Sequence, residues 1–349
     1  MLYENLQNLT NIGINRLIGI EALAVMVVVF LLTVLSTRLI LPVLRAKKLN
    51  QPINMYVKEH AGKAGTPTMG GICFIISSLT AMLIWIILEK CGLLGGSQNA
   101  DLIPLALTLC LGVANGLIGF IDDYKKLVKK ENEGLNESQK LILQTVVAAA
   151  YLAMMGMTDN LPTALHIPFT DLSLELGWFA YALYLVVIIG FVNSTNITDG
   201  LDGLASSIGT SVGIALILTS VMLGSRYTGV ASGMLVGALL GFLVFNHYPA
   251  KIFMGDTGSL FLGGAVVGLA FCTRRPILLL LIGVVYLCEA LSVVIQVTYF
   301  KKTKKRIFKM TPIHHHFEMS GWGEEKIVLI FSLVSMAFGA VAVLISGLL

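Results

Sequence analysis

Asp122 and Asp123 (GFIDDY), Asp199 and Asp202 (NITDGLDG) and Asp256 (FMGDTGS) each stand where a long apolar segment gives way to a polar one. They are five of the eight aspartates in the chain. Carboxylates are hard oxygen donors that hold small divalent cations, and a cation so held can neutralise charge on a substrate. At a membrane edge such a group can meet a lipid and a water-soluble molecule together. The pattern therefore points to an enzyme working at a lipid–water boundary.

The segments carrying these acids add further chemistry. In GFIDDYKK, a helix continuing to Asp122 would turn the two carboxylates about 100° apart, one toward a metal or substrate and the other toward a lysine or solvent. An ordinary charged helix end is the alternative for an isolated acidic pair. In NSTNITDGLDGLA, Asn193, Asn196, Asp199 and Asp202 recur at every third residue, so a helical turn would gather amides and carboxylates on one narrow face. This loop has no lysine or arginine, and its uncompensated acids suggest a cation partner; an Asx-rich turn between two spans is the alternative. FNHYPAKIFMGDTGSLFLGG places Asn246, Lys251, Phe253 and Asp256 in one short loop, with Phe253 free to stack on a base. Its DTG triplet is shared with aspartic proteases, but the intramembrane GxGD pattern would need glycine at 253, where phenylalanine stands. KEHAGKAGTPTMGG is basic and glycine-rich, and Lys63 and Thr68 could meet phosphate or sugar hydroxyls at a helix N-terminus. MTPIHHHFE follows the basic run KKTKKRIFK. On an extended strand only His314 and His316 would share a face, which is not a metal-chelating arrangement; imidazoles beside a basic run suit an oligophosphate.

The elements that must position these groups are membrane helices. The 349 residues are 56% hydrophobic and 13% charged, with a mean hydropathy of +0.84, which excludes a water-soluble globule. Helices satisfy their own backbone in lipid and need roughly 20 residues to cross. Ten stretches qualify: 18–44, 68–88, 102–121, 139–156, 178–195, 204–223, 230–247, 259–273, 276–300 and 327–348. The connection 157–177 is expected to form a small hairpin or an interfacial element. Four of the five cysteines lie within apolar runs and read as packing residues. Residues 1–17 are polar and the first apolar run is long enough to stay in the membrane, so no cleavable signal is expected. Lysine and arginine fix the orientation. Loops 45–67, 122–138, 196–203, 248–258 and 301–326 hold seventeen of them against five on the other side. That predicts an all-α integral membrane protein in one polytopic domain, with both termini outside and the five edge aspartates at the cytoplasmic face. Glu289, deep in the ninth span, needs a buried partner.

Taken in order, GKAGTPTMGG, GFIDDYKK, NITDGLDGLA, FNHYPAKIFMGDTGSLFLGG and MTPIHHHFE resemble the phospho-N-acetylmuramoyl-pentapeptide transferase family, a branch of the polyprenyl-phosphate N-acetylhexosamine-1-phosphate transferases. The resemblance runs from about residue 45 to 326, and GTPTMGG and TPIHHHFE point to this branch over its relatives. It implies Mg2+-dependent transfer of phospho-MurNAc-pentapeptide from UDP-MurNAc-pentapeptide to undecaprenyl phosphate, giving lipid I and UMP in the bacterial cytoplasmic membrane. The implied partners are those two substrates and membrane lipids, with no nucleic acid, and a homodimer is compatible. By the same resemblance Asp122, Asp123, Asp199 and Asp256 are catalytic, with Asp256 the principal magnesium ligand and Asp199 and Asp122 beside it. Lys63, Gly200, Leu201, Asp202, Asn246 and Phe253 would form the uridine pocket. Thr68, Lys126, Asn196, His314 and His315 would contact the diphosphate or the adjoining sugar. The chain reads NSTNITDG where the family pattern is NAVNLTDG, and IVLIFSLVS where an arginine-containing stretch is expected. A relative transferring GlcNAc-1-phosphate is the near alternative. A cation-coupled transporter is the distant one, but transporters place their ionisable sites near the midplane.

Overall fold

The computed structural model describes residues 2–46, 65–94, 102–129, 134–167 and 172–347. Ten of its helices are long and apolar enough to cross a membrane, matching the ten expected stretches one for one. They are α1 (Leu2–Ala46), α2 (Gly71–Lys90), α3 (Leu102–Lys129), α4 (Glu137–Met157), α5 (Phe179–Thr198), α6 (Leu204–Met222), α7 (Arg226–Asn246), α8 (Gly255–Cys272), α10 (Val284–Thr303) and α12 (Glu324–Ser346). The connection between α4 and α5 contains an antiparallel hairpin, β1 (Ala164–His166) with β2 (Ser173–Glu175), in register Leu165 to Leu174.

Three differences from the sequence reading bear on the site. Helix α3 runs two turns past the aspartate pair, because lysines and Val128 continue a helix-compatible sequence with no breaker before Gly134. The ninth apolar stretch is not one helix: Pro276–Leu278 forms a 3₁₀ turn, α9 covers Leu279–Ile282, and α10 begins after Gly283. The histidine segment is not extended but forms a short helix, α11 (Ile313–Glu318).

Helices α6, α7 and α8 are almost entirely buried, and the others surround them. The outward faces keep large apolar side chains such as Leu31, Leu35 and Leu39 on α1 and Leu291, Val294 and Ile295 on α10, as lipid contact requires. Helix α1 packs along α7 on a row of small residues. A side chain on Gly233 or Gly237 would overlap the carbonyl oxygens of Ala22 and Met26 respectively, so the two backbones touch. With no hydrophobic drive between helices in lipid, such close backbone packing holds them together. One end of α7 is further stapled by Arg226. Its Nε and Nη2 donate to the two oxygens of Glu21 at 2.6 and 2.8 Å, and its Nη1 donates to Glu89 at 2.8 Å. Asn246, at the other end of α7, adjoins the acidic loops.

Replacing Gly237 with valine should separate α1 from α7 at a cost of about 1–3 kcal/mol. The apparent melting temperature of the detergent-solubilised protein should fall by several degrees. Gly190→Ala, where an added methyl meets nothing within 4 Å, should melt like the wild type.

Candidate active site

The site is assembled where α3 and α4 meet the first turn of α8. Helix α8 starts at Gly255, whose φ of +68° is left-handed. A Cβ there would sit 2.6 Å from Asp123 Oδ2 and 2.7 Å from Thr68 Oγ1, so both the backbone conformation and the crowding demand glycine. Helix α3 comes equally close: a side chain on Gly119 would overlap the Asp256 carbonyl. The strand-like residues before α2 complete the frame. Phe253 N–H donates to Pro67 O at 2.9 Å, and Gly70 N–H donates to Phe253 O at 2.8 Å.

Within this frame Asp122, Asp123 and Asp256 each offer an oxygen, and these atoms lie within 4.8 Å of one another. Their roles differ. Asp123 caps α8 from outside: its Oδ2 accepts from the Thr257 amide at 2.9 Å and the Thr257 hydroxyl at 2.7 Å, and its Oδ1 accepts from the Asp256 amide at 3.3 Å. It thereby satisfies amides that a helix start leaves unpaired and faces the positive end of the helix dipole. Asp122 is fully buried and accepts from the Leu135 amide at 2.7 Å. Two ammonium groups bridge the cluster. Lys126 lies 2.6 Å from Asp122 and 3.3 Å from Asp256; Lys140 lies 3.1 Å from Asp122 and 2.5 Å from Asp256. The remaining oxygen of Asp256 accepts from Asn196 Nδ2 at 3.0 Å, and the same amide donates to Ser259 Oγ at 2.9 Å.

Asp122 and Asp123 take different partners, Asp122 the two lysines and Asp123 the start of α8, yet each still brings an oxygen to the same cluster. The expected single face through 193, 196, 199 and 202 does not form. Steps of three residues drift about 60° backward per step on an α-helix, and α5 ends at Thr198. Asn193 instead donates to Gln144 Oε1 at 2.7 Å, and Asp202 accepts from the Ala250 amide at 2.9 Å. Asp199 caps the C-terminus of α5 and is half-buried. It stands outside the three-carboxylate group, and among the described residues no donor meets its carboxylate. Burial first, and then the neighbouring Asp256, Asp123 and Asp202, push its pKa up to about 8.

The other expected residues are distributed as follows. Thr68 is buried beside Gly255 and Asp123. Gly200, Leu201 and Asp202 form the turn between α5 and α6. Asn246 is buried with both ends of its amide engaged, accepting from Ser206 Oγ at 2.8 Å and donating to Ile252 O at 3.0 Å. The Phe253 ring is half-buried. His315 pairs with Glu318 at 2.7 Å and His316 accepts from the Lys309 amide at 3.1 Å. The partner that Glu289 requires is His314, at 3.0 Å. Lys63 lies outside the described residues. The sequence reading passed over Lys140 as a span flank. Its signal was a cation in the first turn of α4, where the helix dipole disfavours one unless acids elsewhere hold it.

The donor set fits a small hard cation: clustered carboxylate oxygens with no sulfur or uncommitted imidazole among them. Residues 105–273 match the family described as Glycosyl transferase family 4, so a transferase-family match lies on a chain of ten membrane-length helices. Residues 63–75 match the phospho-N-acetylmuramoyl-pentapeptide-transferase signature 1. The phospho-N-acetylmuramoyl-pentapeptide-transferase of Staphylococcus carnosus is 41% identical over 319 residues, covering 90% of this chain and 96% of the relative. Those of Halalkalibacterium halodurans and Bacillus subtilis are 42% and 43% identical, covering 92% and 86% of this chain and 96% and 90% of the relatives. The chain belongs to the phospho-N-acetylmuramoyl-pentapeptide-transferase family.

A carboxyl raised to about 8 is neutral at pH 7 in the metal-free protein. A cation drawing on Asp199 must therefore displace a proton, and apparent affinity for Mg2+ should rise from pH 6 to pH 8 and level off above. Titration calorimetry in buffers of different ionisation enthalpy should register proton release, and Asp199→Asn should reduce it.

Proposed function

We infer that the protein transfers phospho-MurNAc-pentapeptide from UDP-MurNAc-pentapeptide to undecaprenyl phosphate, producing lipid I and UMP for peptidoglycan synthesis. The observation that carries this reading is the convergence of Asp122, Asp123 and Asp256 with Lys126 and Lys140, in a chain of this family. Phosphoryl transfer asks a protein mainly to position groups and neutralise charge, and this cluster does both. The excess of lysine and arginine on the loops that carry the site supports a site at the cytoplasmic face of the bacterial membrane, with both termini outside.

Asp256, Asp122 and Asp123, with Asp199 beside them, would hold Mg2+. When bound, it supplies Lewis-acid neutralisation of the diphosphate and of the UMP leaving group. Each lysine reaches two carboxylates and can pass from them to phosphoryl oxygens as the diphosphate settles. Thr68, Asn196 and His315 line its approach. Gly200, Leu201, Asp202 and Phe253 form the uridine side, with the Phe253 ring free to stack on the base. Asn246, its own amide committed, shapes that pocket from beneath, and Lys63 completes it.

The lipid phosphate attacks directly. Its second pKa is near 6, so at pH 7 much of it is already dianionic and needs no strong base. Asp122 then orients the lysines. A covalent aspartyl intermediate is disfavoured because the oxygens of Asp122, Asp123 and Asp256 are all engaged by donors or ammonium groups. Asp199, neutral before the cation arrives, is a poor nucleophile.

UMP should form from UDP-MurNAc-pentapeptide only when Mg2+ and polyprenyl phosphate are both present, and UDP-GlcNAc should not substitute. Release of UMP without lipid phosphate, with label trapped on an aspartate, would overturn direct attack. Asp256→Asn removes a ligand to charge stabilisation worth several kcal/mol, so kcat should fall about a hundredfold or more while the protein stays folded. Lys140→Met should lower kcat by a similar factor.

A further inference from the structure

Gln144 is the one amide on the buried face of α4, which otherwise carries Ala148, Tyr151, Leu152 and Met155. It follows Lys140 by one turn, on the same side of the helix. Asn193 likewise precedes Asn196 by about one turn on α5. Asn193 Nδ2 donates to Gln144 Oε1 at 2.7 Å, and among the described residues no other side-chain hydrogen bond joins α4 to α5. One turn away the same two helices grip a single carboxylate. Lys140 of α4 lies 2.5 Å from Asp256 Oδ2, and Asn196 of α5 donates to Asp256 Oδ1 at 3.0 Å.

The orientation of the amide pair is forced. Asn193 Nδ2 also donates to Ile189 O at 2.8 Å, so Asn193 must turn its nitrogen, not its oxygen, toward α4. Gln144 must answer with its oxygen. Its Nε2 is then buried with no hydrogen-bond partner. A buried donor left unpaired costs stability, and an aliphatic side chain of similar size would avoid that cost. Packing alone therefore does not account for a glutamine here.

We propose that Gln144 is a positioning residue for the transfer reaction. Its oxygen ties α4 to α5 and so sets the spacing at which Lys140 and Asn196 reach opposite oxygens of Asp256. Lys140 also lies 3.1 Å from Asp122. With α4 free to shift, the ammonium can settle on that acid and leave the Asp256 carboxylate to rotate. The proposal rests on the transferase reading of Asp256.

The test separates turnover from stability. Gln144→Leu removes both the tie and the unpaired donor, so the melting temperature should stay level or rise while kcat falls about tenfold. KM for the UDP-sugar and for polyprenyl phosphate should each stay within about threefold, because Gln144 meets neither substrate. The conservative exchange supplies the rescue. Gln144→Asn leaves the pair one methylene short and Asn193→Gln leaves it one too long. Gln144→Asn/Asn193→Gln restores the span, and its kcat should return to within about threefold of the wild type. Full kcat in Gln144→Leu, or an exchange no better than the single variants, overturns the proposal. So does a raised KM for polyprenyl phosphate at unchanged kcat, which would make Gln144 a contact of the acceptor. If Gln144→Leu does not fold, the exchange and its single variants decide by kcat. A wild type that makes no UMP would sink the transferase reading instead, and the tie would still show as an exchange variant that melts above Asn193→Gln.

Discussion

Oxygens of Asp122, Asp123 and Asp256 lie within 4.8 Å of one another at the edge of an apolar bundle. Two unit charges at that separation repel by about 3.5 kcal/mol at an effective dielectric near 20, so three such carboxylates cannot be gathered without compensation. The structure supplies it three ways. Two ammonium groups bridge Asp122 and Asp256. The positive end of α8 and its free amides receive Asp123. Asn196 donates to the last oxygen of Asp256. With the three acids ionised and both lysines charged, the group still carries one excess negative charge, and a divalent cation reverses its sign. A divalent cation held there would turn the site from anionic to cationic, and only then would its charge suit an anionic phosphate group.

The helical frame is what makes this concentration of charge possible. Gly119 lets α3 touch the first turn of α8, and Gly255 lets that turn begin beside Thr68 and Asp123. The Leu135 amide closes the α3–α4 loop over Asp122, and the same closure aims Lys140, five residues on, into the cluster. The acids and their counter-ions therefore come from separate helices whose mutual approach is set by backbone contact.

The acids themselves were legible in the sequence because a charged residue at the end of an apolar run is conspicuous, and the ten helices were legible because lipid imposes a length and a composition. What could not be read was which acid faces what. The spacing at 193, 196, 199 and 202 suggested one face, but the helix stops at Thr198 and Asp202 turns to the Ala250 amide. Asn246 looked like a ligand-binding amide, yet it holds Ser206 and Ile252. Lys140 stood at the edge of a span with no assigned role, and Glu289 read as a buried acid whose partner could not be named. Both were ambiguous for the same physical reason: their partners come from other helices, far off in sequence, and periodicity reports only a residue's own helix.

Asp199 differs from the other acids in having no donor among the described residues, and its proton keeps a fourth negative charge out of the metal-free site. The turn that carries it is held from several sides. Asp202 engages the Ala250 amide, and its own amide donates to Glu324 at 3.3 Å; Gly200 rests on His314; Ala205 accepts from Tyr286. Ionising Asp199 therefore cannot be relieved by swinging the turn away from Asp256 and Asp123. A mobile acid would escape the repulsion and gain little when a cation arrived. A fixed one keeps the repulsion until a cation removes it, so the rigidity of the turn would favour a cation there. It would also tie loss of the Asp199 proton to the arrival of a cation.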